Sequence, residues 1–134
     1  MRKSVPMACV SVLLFASIVL AAPMWTGTYS FIINGGTDGF TSPYSYSGVS
    51  NIDVKVVSTY TGSDPASNRI LGTLYRSNGF GGWVSCGGAY FSSSRTTSIR
   101  WSNLPKGYYY RVNLKLEKYT RYSAKGTVSL SGSN

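Results

Sequence analysis

The stretch "YYYRVNLKLEKY", residues 108–119, alternates apolar and polar side chains with a period of two. Such alternation is typical of a β-strand with one face on the core and one face in water. The stretch therefore predicts a strand near the centre of the fold. Its predicted core side chains are Tyr108, Tyr110, Val112, Leu114 and Leu116, and its predicted exposed side chains are Tyr109, Arg111, Asn113, Lys115, Glu117 and Tyr119.

The same period recurs on both sides of this strand. Strand-like runs cover residues 25–33, 51–57, 69–76, 83–91, 96–101 and 126–130, and pairs rich in Gly, Asn, Asp and Pro separate them. No segment after residue 21 has helical periodicity. About seven short strands at this spacing predict an all-β fold, a small antiparallel β-sandwich, with a small β-barrel as the alternative.

The N-terminus has the order of a secretory signal peptide. Arg2 and Lys3 precede an apolar run over residues 7–20, and small residues around Ala21 follow it. The run is shorter than the ~20 residues that a membrane-spanning helix needs. We therefore expect a cleaved signal peptide, 1–21, and a single all-β domain over residues 22–134, a usual size for one domain.

The cysteine count bears on where the protein works. Cys9 leaves with the signal peptide, so Cys86 is alone and the mature chain forms no internal disulfide. Small secreted domains from animals usually carry several bridges, so a secreted protein from a bacterium is favoured. In "WVSCGGAY", residues 83–90, Cys86 is expected to be a small buried apolar residue, with an intermolecular disulfide or a reactive thiol left open.

Positive charge is concentrated in the C-terminal third. The mature chain carries eleven basic and four acidic residues, a net charge of +7, and eight of the eleven lie within residues 95–125. This asymmetry indicates an anionic partner, whether a polymer, a membrane surface or a nucleic acid. The alternative is that the charge only keeps a tyrosine-rich protein soluble.

A candidate anion-binding surface follows from a predicted hairpin. If residues 96–101 and 108–119 pair through a loop over 104–107, Arg100 faces Arg111 on the exposed side. Facing like charges are unfavourable, and a bound anion would relieve the repulsion. The predicted anion-binding residues are Arg100, Arg111, Lys115, Lys118, Arg121 and Lys125, and the predicted aromatic contacts are Tyr109, Tyr119 and Tyr122.

Several ligands fit basic residues that alternate with aromatic ones. Nucleic acid is one, because bases stack on aromatic rings. Export and the lack of any nucleic-acid-binding motif argue against it. Teichoic acid, anionic lipid and acidic polysaccharide suit the same residues. We therefore expect a secreted cationic protein that binds anionic cell-envelope material, with an antimicrobial or bacteriocin-like effect as one use of that binding.

Two other functions are compatible with the sequence. A carbohydrate-binding module would use exposed aromatic residues, and the candidates are Tyr44, Tyr46, Tyr60, Tyr75 and Trp83. A structural or inhibitory protein-binding domain would use a sheet edge or the loop over residues 35–50. The sequence leaves the oligomeric state open.

The sequence gives little support for a catalytic or a metal-binding function. The chain has no histidine, which excludes the usual general base, a Ser-His-Asp triad and a histidine-based metal site. The four acids are Asp38, Asp53, Asp64 and Glu117, and their spacing matches neither a paired-carboxylate site nor a calcium loop. The sequence thus predicts a protein that is not an enzyme and needs no metal or other cofactor.

Overall fold

The computed structural model describes residues 25–35 and 39–134, which fold into a β-sandwich. The predicted signal peptide and Asp38 lie outside the described residues. Within these ranges, one 3-10 turn, Pro65–Ser67, is the sole helical segment. No helix among them is long and apolar enough to cross a membrane. The strands are β1 (Trp25–Asn34), β2 (Phe40–Thr41), β3 (Ser45–Ser47), β4 (Asn51–Tyr60), β5 (Ile70–Ser77), β6 (Trp83–Phe91), β7 (Thr96–Trp101), β8 (Tyr108–Leu116) and β9 (Ser123–Ser133).

The strands form two open antiparallel sheets. The first, here the β4 sheet, has the order β1-β9-β4-β7. The second, here the β8 sheet, has β8 and β5 at its centre, β6 on one edge, and β2 and β3 in line on the other edge. Counting β2 and β3 as one edge strand gives eight strands within the described residues, four in each sheet. Over residues 25–35 and 39–134 the predicted sandwich is confirmed, with eight strands rather than about seven and no closed barrel.

The additional strand is the interrupted edge of the β8 sheet. Thr41 pairs with Asn113 and Ser45 pairs with Tyr110, on the same side of β8. Pro43 lies between the two pieces, and proline has no amide hydrogen to donate to a ladder. Ser42 bridges the gap, since its amide donates to the Val112 carbonyl (2.9 Å) and its hydroxyl accepts the Val112 amide (2.9 Å).

The alternation predicted from the sequence is confirmed in the core. In β8 the burial alternates along the strand, and Tyr110, Val112, Leu114 and Leu116 are buried. Phe31 and Ile33 of β1 are buried on one face of that strand. In β4 the predicted apolar set is fully buried. Its members are Ile52, Val54 and Val56.

The predicted hairpin between β7 and β8 is wrong. β7 pairs with β4, β8 pairs with β5 and the β2–β3 edge, and residues 102–107 cross from one sheet to the other. The side chain of Leu104 is buried in the core, and its amide donates to the Ser50 carbonyl at 2.8 Å. The buried Leu104 side chain holds the connection over the end of the sandwich. In a tight hairpin turn, the same side chain would have been exposed.

The true register removes the expected repulsion. Arg100 lies opposite Asp53 of β4 rather than Arg111 of β8. Opposite charges at facing positions stabilise a strand pair, whereas like charges destabilise it. The charge pattern therefore favours the observed pairing of β7 with β4.

Candidate ligand-binding face

The structure divides the six predicted anion-binding residues among separate surfaces. Arg111 and Lys115 lie on the exposed face of the β8 sheet. Arg100 belongs to β7 and Lys125 to β9, both in the β4 sheet. Lys118 and Arg121 lie in the connection over residues 117–122, at the end of β8. The surface predicted to combine Arg100 with Arg111 therefore does not exist.

Arg100 is engaged by a carboxylate. Its Nε donates to Asp53 Oδ1 at 2.8 Å and its Nη2 donates to Asp53 Oδ2 at 2.9 Å. The hydrogen bond to Asp53 raises the pKa of the Arg100 guanidinium. Such a two-point ion pair leaves little net charge at this position for an external anion.

A second ion pair lies at the far end of β8. Arg69 donates to Glu117 from its backbone amide (2.7 Å), from Nε (2.9 Å) and from Nη2 (3.1 Å). The guanidinium also stacks on Tyr90, 3.8 Å from the ring centroid. The hydrogen bond from the Arg69 side chain holds the pKa of the Glu117 carboxyl below its usual value. Glu117 is therefore ionised and already paired.

Arg111 and Lys115 share a shallow pocket of about 300 Å³. Neutral residues complete its lining, namely Thr41, Tyr75 and Asn113. Arg111 lies opposite Tyr75 in the neighbouring strand, and Asn113 donates to the Thr41 hydroxyl at 3.0 Å. Neither of the two ion pairs between described residues uses Arg111 or Lys115. The pocket thus combines two cations with hydroxyl and amide groups, and no carboxylate belongs to its lining among residues 25–35 and 39–134.

Trp83 holds Arg111 in place. The Arg111 Cζ lies 4.1 Å from the centroid of the Trp83 ring, within the range of a cation–π interaction. The Arg111 Nε is buried against its neighbours and has no hydrogen-bond partner among the described residues. A guanidinium that is stacked before a ligand arrives loses less side-chain freedom on binding than a fully solvated one.

Aromatic rings extend this face towards one end of the sandwich. Tyr44 packs against Trp83 (6.0 Å between centroids) and makes an edge contact with Tyr109 (5.1 Å). Tyr44 keeps 61% of its surface exposed. The rings border a groove of about 460 Å³ that also includes the glycines of the β5–β6 loop. Trp83 was predicted for a carbohydrate-binding surface and Tyr109 for the anion-binding surface. The structure places both residues at the same groove.

The other two predicted aromatic contacts lie at the opposite end. Tyr119 is 88% exposed in the connection over residues 117–122. Tyr122 packs against Tyr60 (5.8 Å between centroids), and the Arg121 guanidinium lies 5.1 Å from the Tyr122 ring centroid. These residues do not join the Arg111–Lys115 pocket.

Lys125 borders a different surface, a groove of about 420 Å³ on the outer face of the β4 sheet. Ile32, which is largely exposed, and Val57 line the same groove. Apolar residues therefore line the groove beside Lys125, whereas Thr41, Tyr75 and Asn113 line the pocket that Arg111 and Lys115 share.

Cys86 packs against the core from the start of β6 and is only partly buried. Burial raises the pKa of its thiol, so little thiolate is present at neutral pH. Across residues 25–35 and 39–134, the structure has no group of three or more acids and cysteines that could hold a metal ion.

Sequence reasoning missed Thr41 and Asn113 as pocket residues. Asn113 was predicted to be exposed. Because it lies two residues from Arg111 in the same strand, the alternation of side chains could have placed both residues on one face. Thr41 had no such signal, because it belongs to an edge strand that pairs with β8 from more than seventy residues away in the sequence.

No protein-family model matches this chain, and no curated protein matches it either. Among solved structures, the chain is similar to a crystal structure of the Yersinia pseudotuberculosis-derived mitogen. The similarity covers 84% of this chain and 86% of that chain, with 15% sequence identity and a TM-score of 0.38. A likeness this weak supports no inference about function.

Proposed function

We propose that this chain is a secreted cationic β-sandwich protein that binds an anionic polymer of the cell envelope through the exposed face of the β8 sheet. The observation that carries the proposal is the pocket containing Arg111 and Lys115. Among the described residues, its lining includes two cations and no carboxylate. Arginine and lysine donate charge-assisted hydrogen bonds to carboxylate and phosphate groups.

The distribution of charge supports an anionic ligand. Asp53 and Glu117 are each paired with an arginine. Asp64 directly precedes the 3-10 turn, at the other end of the sandwich from Tyr44 and Trp83. Arg111 and Lys115 are four residues apart on one strand, a separation of roughly 13 Å at about 3.3 Å per residue. This spacing suits a polymer that repeats its charge along the chain.

The neighbouring aromatic rings favour a glycopolymer over a small anion. Tyr44, Trp83 and Tyr109 lie beside Arg111 and offer apolar ring faces with polar edges. Such rings suit the apolar faces of sugars. We therefore favour teichoic acid or an acidic polysaccharide, in which sugar or polyol units alternate with charged groups. A neutral glycan would use the rings but leave the two cations without a role.

The test is co-sedimentation of the mature protein, residues 22–134, with purified Gram-positive cell walls and with a neutral insoluble glycan, each at low and high salt. The native protein is expected to bind the walls at low salt and to be released at high salt. An Arg111→Gln and Lys115→Gln double variant should bind the walls about tenfold more weakly, since two charge-assisted contacts are lost.

Arg100→Gln, paired with a second neutral change, Lys125→Gln, is the matched control. It removes the same charge from the other sheet and should leave wall binding within about twofold of native. Equal losses in the two double variants would mean that only net charge matters and would contradict the proposed face. Salt-resistant binding to the neutral glycan would instead indicate a sugar-binding module. Binding to neither material would contradict both and leave a protein partner.

A further inference from the structure

Phe80 is the most exposed large apolar side chain among the described residues, with 94% of its surface accessible. It lies in the β5–β6 loop, residues 78–82, at one end of the sandwich. The connection over residues 102–107 reaches the same end, because Gly107 and the glycines of the loop line one groove. We call this end the tip and define it as these two segments together with Tyr44, Trp83 and Tyr109.

The loop holds Phe80 outward by backbone geometry. The Asn78 side-chain oxygen, Oδ1, accepts hydrogen bonds from the backbone amides of Phe80 (2.8 Å) and Gly82 (3.0 Å). The Asn78 backbone amide donates to the Gly82 carbonyl (3.0 Å). Gly79 and Gly81, on either side of Phe80, have φ values of 82° and 85°, which other residues rarely adopt. Phe80 is therefore presented by a preorganised loop, so little chain entropy is lost when it binds.

Amphipathic rings surround this apolar point. Tyr44, Trp83 and Tyr109 border the groove beside the loop, and Tyr44 and Tyr109 are exposed. Tyrosine and tryptophan favour the boundary between lipid headgroups and hydrocarbon, because their rings are apolar and carry one polar group. An exposed phenylalanine beside such rings is the arrangement expected of a segment that enters a lipid surface.

The charge at the tip is positive. Lys106 is exposed in the 102–107 connection, and Arg76 lies over the Tyr108 ring, 4.5 Å from its centroid. Among the acidic residues that the structure describes, Asp53 is the one placed towards this end of the sandwich. It forms an ion pair with Arg100. Cations close to an anionic bilayer are each attracted to it over about a Debye length.

We propose that the tip docks on anionic lipid bilayers and inserts the Phe80 side chain below the headgroups. A single apolar side chain offers far less than the ~800 Å² per partner of a standard protein interface. Insertion into a bilayer requires only a local apolar point with cationic support. Phe80 lies outside the Arg111–Lys115 pocket, although both proposals use the rings of Tyr44, Trp83 and Tyr109. Variants of Phe80 and of Arg111 with Lys115 therefore let either proposal fail without the other.

The test is flotation of the mature protein with vesicles of phosphatidylcholine containing phosphatidylglycerol, and with vesicles of phosphatidylcholine alone. The native protein should bind the anionic vesicles more tightly. Phe80→Ser should weaken that binding about tenfold or more, and Phe80→Leu should largely preserve it. Tyr119→Ser is the matched control, because Tyr119 is a similarly exposed aromatic residue at the opposite end. Circular dichroism checks that each variant is folded.

Three results would overturn the proposal. The first is that the native protein fails to bind anionic vesicles. The second is that Phe80→Ser and Tyr119→Ser bind as well as each other. The third is that vesicle binding is lost in the Arg111→Gln and Lys115→Gln double variant but kept in Phe80→Ser, which would assign the lipid to the sheet face. The expected pattern is the reverse: Phe80→Ser weakens vesicle binding, and the double variant keeps vesicle binding although its wall binding is weakened.

Discussion

Arg100 and Arg111 carry the same charge, yet their surroundings give them different roles. Arg100 is neutralised by two hydrogen bonds to Asp53. Arg111 is stacked on Trp83 and lines a pocket in which the described part of the chain places no acid. A cation–π contact orients a guanidinium without cancelling its charge, whereas an ion pair cancels it. Of the two, Arg111 is therefore the residue that we propose contacts an anionic ligand.

Tyr110 shows what burial does to a polar aromatic residue. It is fully buried, and its hydroxyl donates to the Pro105 carbonyl at 2.6 Å. Burial raises its pKa to about 12 from an ordinary value of 10. The ring anchors the 102–107 connection to the core while remaining neutral at physiological pH.

We expect Tyr110 to contribute to alkaline unfolding. Because its pKa is higher in the folded chain than in the unfolded chain, its contribution is complete below pH 10 and is lost as the pH rises towards 12. Tyr110→Phe should lower the free energy of unfolding at pH 7 by about 1 kcal/mol through the lost hydrogen bond. It should also reduce the decline between pH 10 and 12. Urea denaturation at several pH values measures both effects, and an unchanged alkaline decline would contradict the prediction.

Strand pairing is decided at the level of whole elements. β7 and β8 are consecutive and each has a clear apolar face, so a hairpin was the simplest prediction. The observed crossover buries Leu104 and places Arg100 opposite Asp53. A hairpin would have faced Arg100 with Arg111 and left Leu104 in a surface turn. Burial and charge pairing therefore both favour the crossover.

The β2–β3 edge depends on one serine side chain. Ser42 is almost fully buried, and its hydroxyl accepts the Val112 amide where Pro43 interrupts the strand. Ser42→Ala should leave that amide without its acceptor, at a cost of about 1–3 kcal/mol in the free energy of unfolding. Thr28→Ala is the control, because the Thr28 hydroxyl contacts Ser129 on an exposed face. Urea denaturation should show a change below about 0.5 kcal/mol for the control, and equal changes would contradict this role of Ser42.

At the scale of the whole molecule, the two proposed sites lie side by side. The Arg111–Lys115 pocket occupies the exposed face of the β8 sheet, and the tip adjoins it through Trp83. A protein that holds an envelope polymer on its sheet face and reaches lipid with its tip would act where wall and membrane meet. The two sets of variants separate these activities.

The stability of a chain of residues 22–134 should not depend on redox conditions. Cys86 is the single cysteine after residue 21, and it packs against a core of buried side chains from both sheets. We expect the melting temperature to be the same with and without dithiothreitol, because no internal disulfide constrains the unfolded chain. Differential scanning calorimetry measures this. A shift that Cys86→Ala abolishes would instead indicate an intermolecular disulfide.

The sequence by itself determined the fold class and the orientation of side chains within each strand. The period of two in residues 108–116 assigns Val112 to the core and Arg111 to the solvent, because side chains alternate across any strand. This local rule holds whichever strand pairs with β8. It also predicted that Arg111 and Lys115 lie on one face.

Only the tertiary structure decided which faces meet. Pairing depends on contacts between residues far apart in the chain, such as Thr41 with Asn113 and Asp53 with Arg100. Burial of Leu104 and the balance of charges across the sheets select among several registers that share the same alternation. For this reason Trp83 could not be placed against Arg111, nor Phe80 at the same end as Lys106, from the sequence alone.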